Sequence, residues 1–485
     1  MSADPSRLSS RLRELLRNAP PRSGGRADAA EAAGPRQPSA PGRGLVYAPE
    51  DAPSGRGGAG GAGCAVIERQ YAGERLHGRR RVAEYGEMLA RCMPGLAVLA
   101  ADDRAAAPRE PRRERLQWDG GARLDESRRR AGAPSGGPLL FFDLETTGLS
   151  GGAGTLAFLA GCGSFDQDGF HTRQLFLSAC ESERELLDGL AGMAGRYGGL
   201  VTFNGRAFDV PLIETRYAFH RLESPFSGLP HFDLLHPARR LWRRRGLPGP
   251  SHRDRRAGGR PGDAASCALG ALEEAILGLA RLDDVPGAEI PSRYFGYLRT
   301  GDLGPLEPVF EHNRLDLLSL AALTAIAAQM AVEGPSGTAS PHEALAMGRI
   351  YQQLGREDEA DACFSRASGL GGAPWEADAV DAGVRADALR ALARGRRRRR
   401  RYAEAADAWE RLLASGASLA FAQEAREALA IHHEHRARNL AAARELAVRA
   451  LAAERDPGAA AGLRRRLARI DRKIGASGAR RGGGD

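Results

Sequence analysis

The sequence predicts an α/β domain with a mixed β-sheet, followed by an all-helical module built from repeats. Apolar strands occur in a group from Pro138 onward and then alternate with amphipathic helices, which is typical of an α/β layer fold with a mixed sheet. After a break rich in Gly, Pro and Ser at residues 333–341, the chain is alanine-rich with helical periodicity to about Ile474. A length of 485 residues also favours two or three folded units joined by linkers.

The N-terminal region is expected to contribute little regular structure. Residues 1–60 are rich in Ala, Gly, Pro, Arg and Ser and poor in large apolar side chains, so they are predicted to be disordered, apart from a short helix around residues 8–16. Residues 61–137 are predicted to be an accessory segment and linker, with one modest strand, CAVIERQY. The role of this segment stays open.

Residues 138–333 are predicted to form the α/β domain. Its predicted strands are LLFFDLETTGL, TLAFLAGCGSF, FHTRQLFLS and GLVTFN, and the Gly- and Ser-rich turn after the first indicates a hairpin. The run ESERELLDGLAGMAGRY is predicted to be a helix, because its apolar residues have helical spacing and Ser182 with Glu185 matches a capping box. Further helices are predicted at DVPLIETRYAFHRL, SCALGALEEAILGL and VFEHNRLDLLSLAALTAIAAQM, with a mobile Arg-rich excursion at residues 243–263.

Residues 340–475 are predicted to form helical repeats similar to tetratricopeptide repeats. Small and large residues occur at the offsets of such a helix pair in a first unit, formed by Gly348, Tyr351, Gly355, Ala360, Phe364 and Ala367. Two weaker units surround residues 402–412 and 440–450, and a generic alanine-rich helical bundle is the alternative. Repeat arrays usually bind protein segments, so these repeats are candidates either for binding a protein partner or for extending the path of the nucleic acid. Residues 476–485 are predicted to be a disordered tail.

The composition favours a cytoplasmic protein with a polyanionic partner. The formal net charge is +9 and the sequence pI is about 9.6, which fits nucleic acid. Lys473 is the sole lysine, however, and this bias toward Arg also follows from a GC-rich genome. The six cysteines include no CxxC pair, which favours a reducing compartment. No secretory signal is apparent, and the apolar stretch 317–332 is shorter than the roughly 20 residues of a membrane span, so no membrane role is expected.

Two carboxylates at the end of the first strand of the α/β domain are the strongest local signal of chemistry. Asp143 and Glu145 are two residues apart on a strand and therefore project from the same face. Adjacent carboxylates repel one another and resist burial unless a cation neutralises them, and such hard oxygen ligands suit Mg²⁺ or Mn²⁺. A bare DxE sequence also arises by chance or as a turn cap.

Two further acidic positions follow later in the chain. Asp209 comes directly after the strand VTFN, at the predicted start of a helix. His312 and Asp316 are four residues apart at the head of the long apolar helix, which places them on one helical face. A helix cap is the alternative for each of the two aspartates.

The runs FFDLETTGL, FNGRAFDVPLI and HNRLDLLSL, in this order over about 175 residues, resemble the three exonuclease motifs of the DEDD nucleases. With GGAGTLAFLAG and the trailing repeats, the chain is most similar to the YprB-like branch of the ribonuclease-H-like proteins. The resemblance implies a ribonuclease-H-like mixed sheet, two bound Mg²⁺ or Mn²⁺ ions, and 3′–5′ exonuclease activity on single-stranded DNA or RNA ends. The implied metal ligands, which are also catalytic, are Asp143, Glu145, Asp209 and Asp316.

One position departs from the motifs. The tyrosine subclass has a Tyr four residues before the last Asp and the histidine subclass a His five residues before it, whereas this chain has His312 at a spacing of four. His312 is predicted to be the catalytic base that orients the attacking water, with an exposed histidine near the helix start as the alternative. The resemblance also implies substrate contacts at Thr146 and Leu149. Asn204 is a third candidate for substrate binding. Its alternative roles are to orient the strand backbone or simply to end the strand.

Several other polar clusters are weaker signals. The histidines of His231-Phe232-Asp233-Leu234-Leu235-His236 do not align on one face, and Asp233 fits either a helix cap or a position near the active face. The cluster His432-His433-Glu434-His435 lacks an HExxH pattern. Trp242 among Arg239, Arg240, Arg243, Arg244 and Arg245 suits either nucleic-acid binding or a solvated loop. The run at residues 396–401 suits either a phosphate contact or a codon expansion.

The predicted function is hydrolysis of phosphodiester bonds by two metal ions. The alternative is a non-catalytic nucleic-acid-binding or scaffold protein that keeps the fold and carries a protein-binding repeat tail. The sequence leaves open the choice between DNA and RNA, the polarity independent of the resemblance, the oligomeric state and the pathway.

Overall fold

The computed structural model describes residues 64–101, 137–148, 154–243, 267–281, 284–370, 375 and 380–481. The predictions for residues 1–60, for most of the linker, for Leu149 and for the excursion beyond residue 243 lie outside the described residues. The described part of the chain divides into two compact units, of which the first contains the β-sheet and the second contains the C-terminal helices.

The first unit contains a mixed sheet, as predicted. The strands are β1 (Cys64–Ala72), β2 (Leu76–His77), β3 (Arg80–Arg81), β4 (Leu139–Thr146), β5 (Ala157–Phe165), β6 (Gly169–Leu177), β7 (Gly199–Thr202) and β8 (His231–Asp233). Six of them form one sheet in the order β1-β6-β5-β4-β7-β8, while β2 and β3 pair with each other. The pairs β1–β6, β5–β6 and β4–β5 are antiparallel, and β4–β7 and β7–β8 are parallel.

Strand β1 belongs to the segment that the sequence marks only as accessory. It pairs with β6 along its whole length, from Cys64 opposite Leu177 to Ala72 opposite Gly169. The sheet therefore begins well before residue 138, the predicted start of the α/β domain.

Strand β4 lies in the interior of the sheet, between β5 and β7. Leu140, Phe141 and Phe142 are fully buried, which is the burial expected for a strand covered on both faces and explains the continuous apolar run in the sequence. The same strand delivers the acidic residues at its C-terminal end.

Helices alternate with the strands and follow them in the chain. Those up to residue 333 are α1 (Val82–Ala100), α2 (Glu183–Ala194), α3 (Asp209–Phe219), α4 (Leu235–Trp242), α5 (Leu269–Leu272), α6 (Ile290–Thr300) and α7 (Glu307–Glu333). Helix α5 continues into one π-helical turn, Glu273–Leu277. No helix was predicted at α6, where Tyr294 stacks on Phe158 at 4.2 Å and donates a hydrogen bond to the Leu177 carbonyl at 3.0 Å.

The capping box predicted for α2 is wrong, although the helix itself is confirmed. Ser182 occupies the N-cap position but its side chain makes no capping hydrogen bond. Glu185 instead accepts a hydrogen bond from the Cys64 backbone N–H at 3.2 Å. The start of β1 therefore competes with the helix terminus for this carboxylate.

The second unit is all-helical. Its C-terminal helices are α8 (Pro341–Gln353), α9 (Glu357–Ala367), α10 (Ala382–Arg398), α11 (Tyr402–Ala414), α12 (Leu419–His435), α13 (Leu440–Ala453) and α14 (Pro457–Arg481). They pack as successive pairs, α8 with α9, α10 with α11 and α12 with α13. In the first pair a Cβ at Gly348 would lie 2.5 Å from the Phe364 ring, so the predicted small and large positions do face each other. Helix α14 runs to Arg481, past the predicted end of the repeats.

The apolar segment around α7 is long and apolar enough to cross a membrane by length and composition alone. Most of its side chains are buried against the rest of the protein, among them Leu317, Leu318 and Ala321. This burial is the behaviour of a core helix, as the sequence predicts.

Candidate active site

The C-terminal end of β4 carries two acidic side chains on one face. Asp143 and Glu145 alternate with Leu144, whose side chain joins the apolar core. The register of the pairing with β5 shifts between Glu145 and Thr146, so the regular ladder is interrupted at the acidic end of the strand.

Asp209 reaches this strand end from a second element. It is the first residue of α3, and Phe208 occupies the N-cap position, so the interpretation of Asp209 as the N-cap is wrong. The Asp209 carboxylate accepts a hydrogen bond from the backbone N–H of Leu144, which lies between the two acidic residues of β4.

Helix α7 is the third element of the site. It begins at Glu307, so Asp316 lies inside the helix and not at its head, and the cap alternative is wrong. Val309 and Phe310 are buried in the core, and this packing extends the helix upstream of the polar motif. His312 Nε2 lies 3.5 Å from Asp316 Oδ2 and 4.0 Å from Glu145 Oε1. The His312 side chain is 18% exposed, so the alternative of an exposed histidine is wrong as well.

These side chains form one electrostatic cluster. Burial raises the pKa of Asp143 well above its usual range, and the charges of Asp316, Glu145 and Asp209 raise it further. Burial also raises the pKa of Glu145 to about 8, although His312 opposes the shift, and is the main cause that raises the pKa of Asp209 to about 7. The structure therefore brings all four predicted carboxylates and His312 together from three separate elements.

The charge of His312 depends on its acidic neighbours. Burial alone would lower its pKa, but Asp316, the hydrogen bond with Asp284 and the charge of Glu145 outweigh burial and raise the pKa to about 10. The Asp284 contact is short, with 2.6 Å between His312 Nδ1 and Asp284 Oδ1. Asp284 therefore fixes one ring nitrogen and leaves Nε2 directed at the carboxylates.

Asn313 holds Asp143 in place and was missed in the sequence. It is fully buried, its Nδ2 donates to Asp143 Oδ2 at 2.8 Å, and its Oδ1 accepts from Gln174 Nε2 at 2.8 Å. It rests on Gly161, the β5 residue opposite Asp143, where a Cβ would lie 2.2 Å from Asn313 Oδ1. The sequence signal that could have indicated this role is the position of Asn313, a polar amide directly after His312 near the predicted start of an apolar helix.

A second group missed in the sequence surrounds Asp316. Arg281 Nη2 lies 2.5 Å from Asp316 Oδ1 and also pairs with the Glu273 carboxylate. Arg281 Nη1 is 3.7 Å from Asp284 Oδ2. These three residues come from the π-helical turn and the loop after it, where the sequence offers no motif, so only tertiary packing identifies them.

The predicted substrate-contact residues have different environments. The Thr146 hydroxyl donates to the Gly148 carbonyl at 3.0 Å and so shapes the turn after β4. Asn204 has a left-handed backbone (φ 66°) at the end of β7, and its backbone N–H donates to Asp233 Oδ1 at 2.8 Å. Leu149 lies outside the described residues.

Asp233 organises the loop that precedes Asp209. Besides Asn204, it binds the backbone N–H groups of Arg206 at 2.9 Å and of Leu235 at 3.0 Å. Asp233 thus binds the first N–H group of α4 from a position before the helix, and the same carboxylate also fixes the loop. After burial, the charge of Asp233 is the next cause that raises the pKa of Asp209, so Asp233 also lies close to the acidic site. His231 Nε2 lies 2.8 Å from the Thr202 hydroxyl, beside the strand ends.

Phe208 is an exposed aromatic residue next to the acidic cluster. Its side chain is 57% exposed, directly before Asp209. Burying so large an apolar side chain is favourable, and an exposed ring beside a polar site is suited to stacking on a nucleobase.

Trp242 is not available for base stacking. It is 3% exposed, and its Nε1 donates to Glu343 Oε1 at 3.2 Å within the second unit. In the same unit Arg240 donates to the Leu99 carbonyl. The nucleic-acid interpretation of Trp242 is therefore wrong, because α4 uses its tryptophan in packing.

The arginine run at residues 396–401 is largely engaged by acidic side chains. Arg396 and Arg399 pair with Asp361 of the preceding helix, Arg398 pairs with Glu357, and Arg401 pairs with Glu404. These contacts join α10 to α9 and α11. The run is thus a structural ion-pair cluster between neighbouring helix pairs.

The acidic residue of the histidine cluster in α12 is also structural. Glu434 is buried, and its carboxylate pairs with Arg466, Arg469 and Lys473 of α14. The hydrogen bond from Arg469 is the largest cause that lowers the pKa of Glu434 below its usual range.

The sheet, its strand order and the acidic cluster at the end of β4 define a ribonuclease-H-like domain, the fold predicted from the sequence. Members of this superfamily are usually nucleases or phosphodiester hydrolases, and they typically use divalent metal ions.

Comparison with known proteins agrees with this class. Residues 140–328 match the family model of the RNase_H superfamily. The chain is 34% identical over 223 residues to the uncharacterized protein YprB of Bacillus subtilis (strain 168), a match that covers 46% of this chain and 49% of that protein. The match spans about half the length of the curated relative.

The donor set of the site fits a hard divalent cation, but the side chains already have partners. Carboxylate oxygens are the ligands that Mg²⁺ and Mn²⁺ prefer. Within the described ranges, however, no three His, Cys, Asp or Glu side chains are arranged to hold an ion as they stand. Asp143 accepts a hydrogen bond from Asn313, and Asp316 pairs with Arg281.

Proposed function

We propose that this chain is a metal-dependent exonuclease that hydrolyses phosphodiester bonds at the 3′ ends of single-stranded nucleic acid. The observation that carries the proposal is the convergence of Asp143, Glu145, Asp209 and Asp316, from one strand and two helices, on the end of β4. Buried acids that raise one another's pKa are costly to maintain, so a cluster of this kind favours a cationic ligand.

The proposed ligands are the four carboxylates, which would hold two divalent ions. Bound divalent cations supply the positive charge that stabilises an attacking hydroxide and the departing 3′-oxygen. The protein contributes the positions of the oxygens: Asn313 orients Asp143, and the Leu144 backbone N–H orients Asp209.

His312 is the proposed base that accepts the proton of the attacking water. Its Nε2 faces Glu145 and Asp316, while Nδ1 is held by Asp284. The negative charge around the ring raises its pKa to about 10, so His312 is protonated at neutral pH in the metal-free protein. Cations that neutralise Asp316 and Glu145 would remove part of this shift and bring the pKa of the ring closer to neutral pH, while the contribution of Asp284 would remain.

The substrate contacts proposed for the terminal nucleotide are Phe208, Thr146 and Asn204. The exposed ring of Phe208 supports stacking with an unpaired base, which is largely independent of base identity. A single-stranded end provides such a base without the cost of unpairing a duplex.

One observation favours a second candidate, a non-catalytic nucleic-acid-binding protein. Arg281 already neutralises part of the charge of Asp316, and a site balanced by its own arginine has less need of metal. This candidate predicts binding of oligonucleotides without turnover in any divalent cation.

The test is incubation of the purified full-length chain with 5′-labelled single-stranded DNA and RNA in Mg²⁺, Mn²⁺ or chelator. The expected product is a ladder that shortens from the 3′ end in the presence of metal only. A matched oligonucleotide with a blocked 3′ terminus should resist degradation. Internal cleavage of the blocked substrate would contradict the exonuclease assignment, and retention of both substrates intact would favour the binding candidate.

A further inference from the structure

Arg281 contacts three acidic side chains, and one of them is Asp316 of the proposed metal site. Its guanidinium pairs with Asp316 at 2.5 Å and with Glu273, and its Nη1 is 3.7 Å from Asp284. The side chain of Arg281 is 9% exposed and that of Glu273 is 1% exposed. Such a buried cation persists only because acidic partners offset the loss of hydration.

Both carboxylate oxygens of Asp316 are directed at cationic groups of the protein. Oδ1 contacts Arg281 Nη2, and Oδ2 lies 3.5 Å from His312 Nε2. A divalent ion coordinates carboxylate oxygens directly and repels a guanidinium beside it. Oδ1 of Asp316 therefore cannot keep its close ion pair with Arg281 and coordinate a metal ion at the same time.

We propose that Arg281 is a built-in counter-ion that competes with divalent metal for Asp316, and that it thereby stabilises the metal-free protein and weakens metal binding. The inference rests on the proposed function, because it requires Asp316 to be a metal ligand. Arg281 acts through Asp316 and is a positioning residue. Asp284, another acidic neighbour of Arg281, also pairs with His312. The guanidinium is therefore linked to Asp316 directly and to His312 through Asp284.

The test compares Mn²⁺ binding and thermal unfolding of the full-length chain with those of Arg281→Met. Methionine keeps much of the side-chain volume and removes the charge. We expect Arg281→Met to bind Mn²⁺ about tenfold more tightly, equivalent to about 1.4 kcal/mol, when free Mn²⁺ is counted by electron paramagnetic resonance. In chelator the variant should unfold at a lower temperature than the parent, and saturating Mn²⁺ should raise its unfolding temperature by more than that of the parent.

A second variant, Arg281→Lys, keeps the proposal testable if Arg281→Met does not fold. An ammonium keeps the charge but lacks the planar fork that engages two carboxylates at once. We expect Mn²⁺ affinity between those of the parent and of Arg281→Met. An Arg281→Lys chain that binds Mn²⁺ more weakly than the parent would show that Arg281 prepares Asp316 for metal, the reverse of competition.

Two control variants separate competition from general effects. Arg281→Met with Glu273→Gln removes one positive and one negative charge together, so a gain in affinity that survives in this double variant comes from release of Asp316 and not from net charge. Arg216→Met breaks another buried ion pair of the same unit, with Glu183. It should lower stability and leave Mn²⁺ affinity unchanged within about twofold.

The outcomes distinguish this inference from the proposed function. Mn²⁺ binding by the parent with no gain in Arg281→Met, or a gain that the double variant loses, overturns the inference while the metal site stands. Absence of Mn²⁺ binding in the parent and in folded Arg281 variants overturns both. Tighter binding in Arg281→Met and in the double variant supports the inference.

Discussion

At the scale of single residues, three of the four acids of the site have a specific partner within the protein, whereas Glu145 lies 4.0 Å from His312 Nε2. Asp143 accepts from Asn313, Asp209 accepts from the Leu144 backbone, and Asp316 pairs with Arg281. These contacts lower the cost of burial but leave the carboxylates mutually repelling. Removing one acid should therefore relieve repulsion and abolish function at the same time.

Asp143→Asn is the most direct test of this balance. The amide keeps an oxygen that can accept from Asn313, so the fold should be retained, while one of the charges proposed to bind metal is lost. We expect metal-dependent hydrolysis to fall below detection and thermal stability in chelator at pH 8 to equal or exceed that of the parent. The measurements are single-turnover degradation of labelled oligonucleotide and calorimetric unfolding.

The control for this change is Asp188→Asn, since Asp188 lies on α2 in an exposed pair with Arg184. Its activity should remain at the parental level. An Asp143→Asn protein that degrades substrate normally would remove Asp143 from the proposed metal ligands.

His312 is expected to affect turnover and not metal affinity. His312→Ala leaves all four proposed carboxylate ligands in place but removes the proposed base, so turnover should fall by roughly 10²–10⁴-fold. His312→Tyr should retain more activity than His312→Ala, because Tyr occupies this spacing in the motif that the sequence resembles. Single-turnover rates and Mn²⁺ titrations of both variants provide the check, and an unchanged rate in His312→Ala would exclude the base.

At the scale of secondary-structure elements, the site depends on how α7 rests on the sheet. Asn313 fills the space above Gly161, and Gln174 of β6 donates to both Asn313 and the Phe310 carbonyl, each bond spanning helix and sheet. This buried amide pair sets the height and rotation of α7. It thereby places His312 and Asp316 opposite the end of β4.

Gly161→Ala should disturb this seating. The added Cβ would lie 2.2 Å from Asn313 Oδ1, so either Asn313 or α7 must shift. We expect a loss of about 1–3 kcal/mol in unfolding free energy, the usual cost of overpacking, together with reduced metal-dependent activity. Chemical denaturation followed by fluorescence measures the loss.

Gly192→Ala serves as the control, because Gly192 is an exposed interior position of α2 where a Cβ meets nothing within 4 Å. Alanine there should stabilise the protein by about 0.5–1 kcal/mol. Equal effects at the two glycines would argue against the close approach of α7 to β5.

At the scale of the whole molecule, the site should make stability depend on pH in the absence of metal. The folded protein holds protons on Glu145 (pKa about 8) and Asp209 (about 7) that the unfolded chain releases near their ordinary values of 4.5 and 3.8. Stability therefore falls as pH rises through this interval. His312 acts in the same direction: its stabilising charge is fully present below about pH 6.5 and is lost as pH rises through about 10.

The expected result is a lower unfolding temperature of the sheet-containing unit at pH 8.5 than at pH 5.5 in chelator, measured by calorimetry. Saturating Mg²⁺ should reduce the difference, because cations neutralise the same carboxylates. The double variant Asp143→Asn, Glu145→Gln should show a flatter profile. If the unfolding temperature of the parent in chelator rose from pH 5.5 to pH 8.5, this result would contradict the raised pKa values of Glu145, Asp209 and His312.

The formal charge of the chain gives less information about nucleic acid than it first suggests. Arg396, Arg398, Arg399 and Arg401 are paired with acids of the helical unit, and Trp242 is buried there. In the described part of the chain, the features that support a nucleic-acid substrate are therefore the acidic site and Phe208, and not the arginine run.

The sequence alone determined the mixed sheet, the helical tail and the four acidic positions with His312. These features follow from local rules: strand alternation places Asp143 and Glu145 on one face, and helical spacing places His312 beside Asp316. Only the tertiary structure decided that β1 forms the sheet edge, that Asn313 and Gln174 hold α7 in place, and that Arg281, Glu273 and Asp284 surround the site. Their contacts join residues far apart in the chain through burial and charge, as in the 139-residue separation of Gln174 and Asn313, and no local pattern encodes such a pairing.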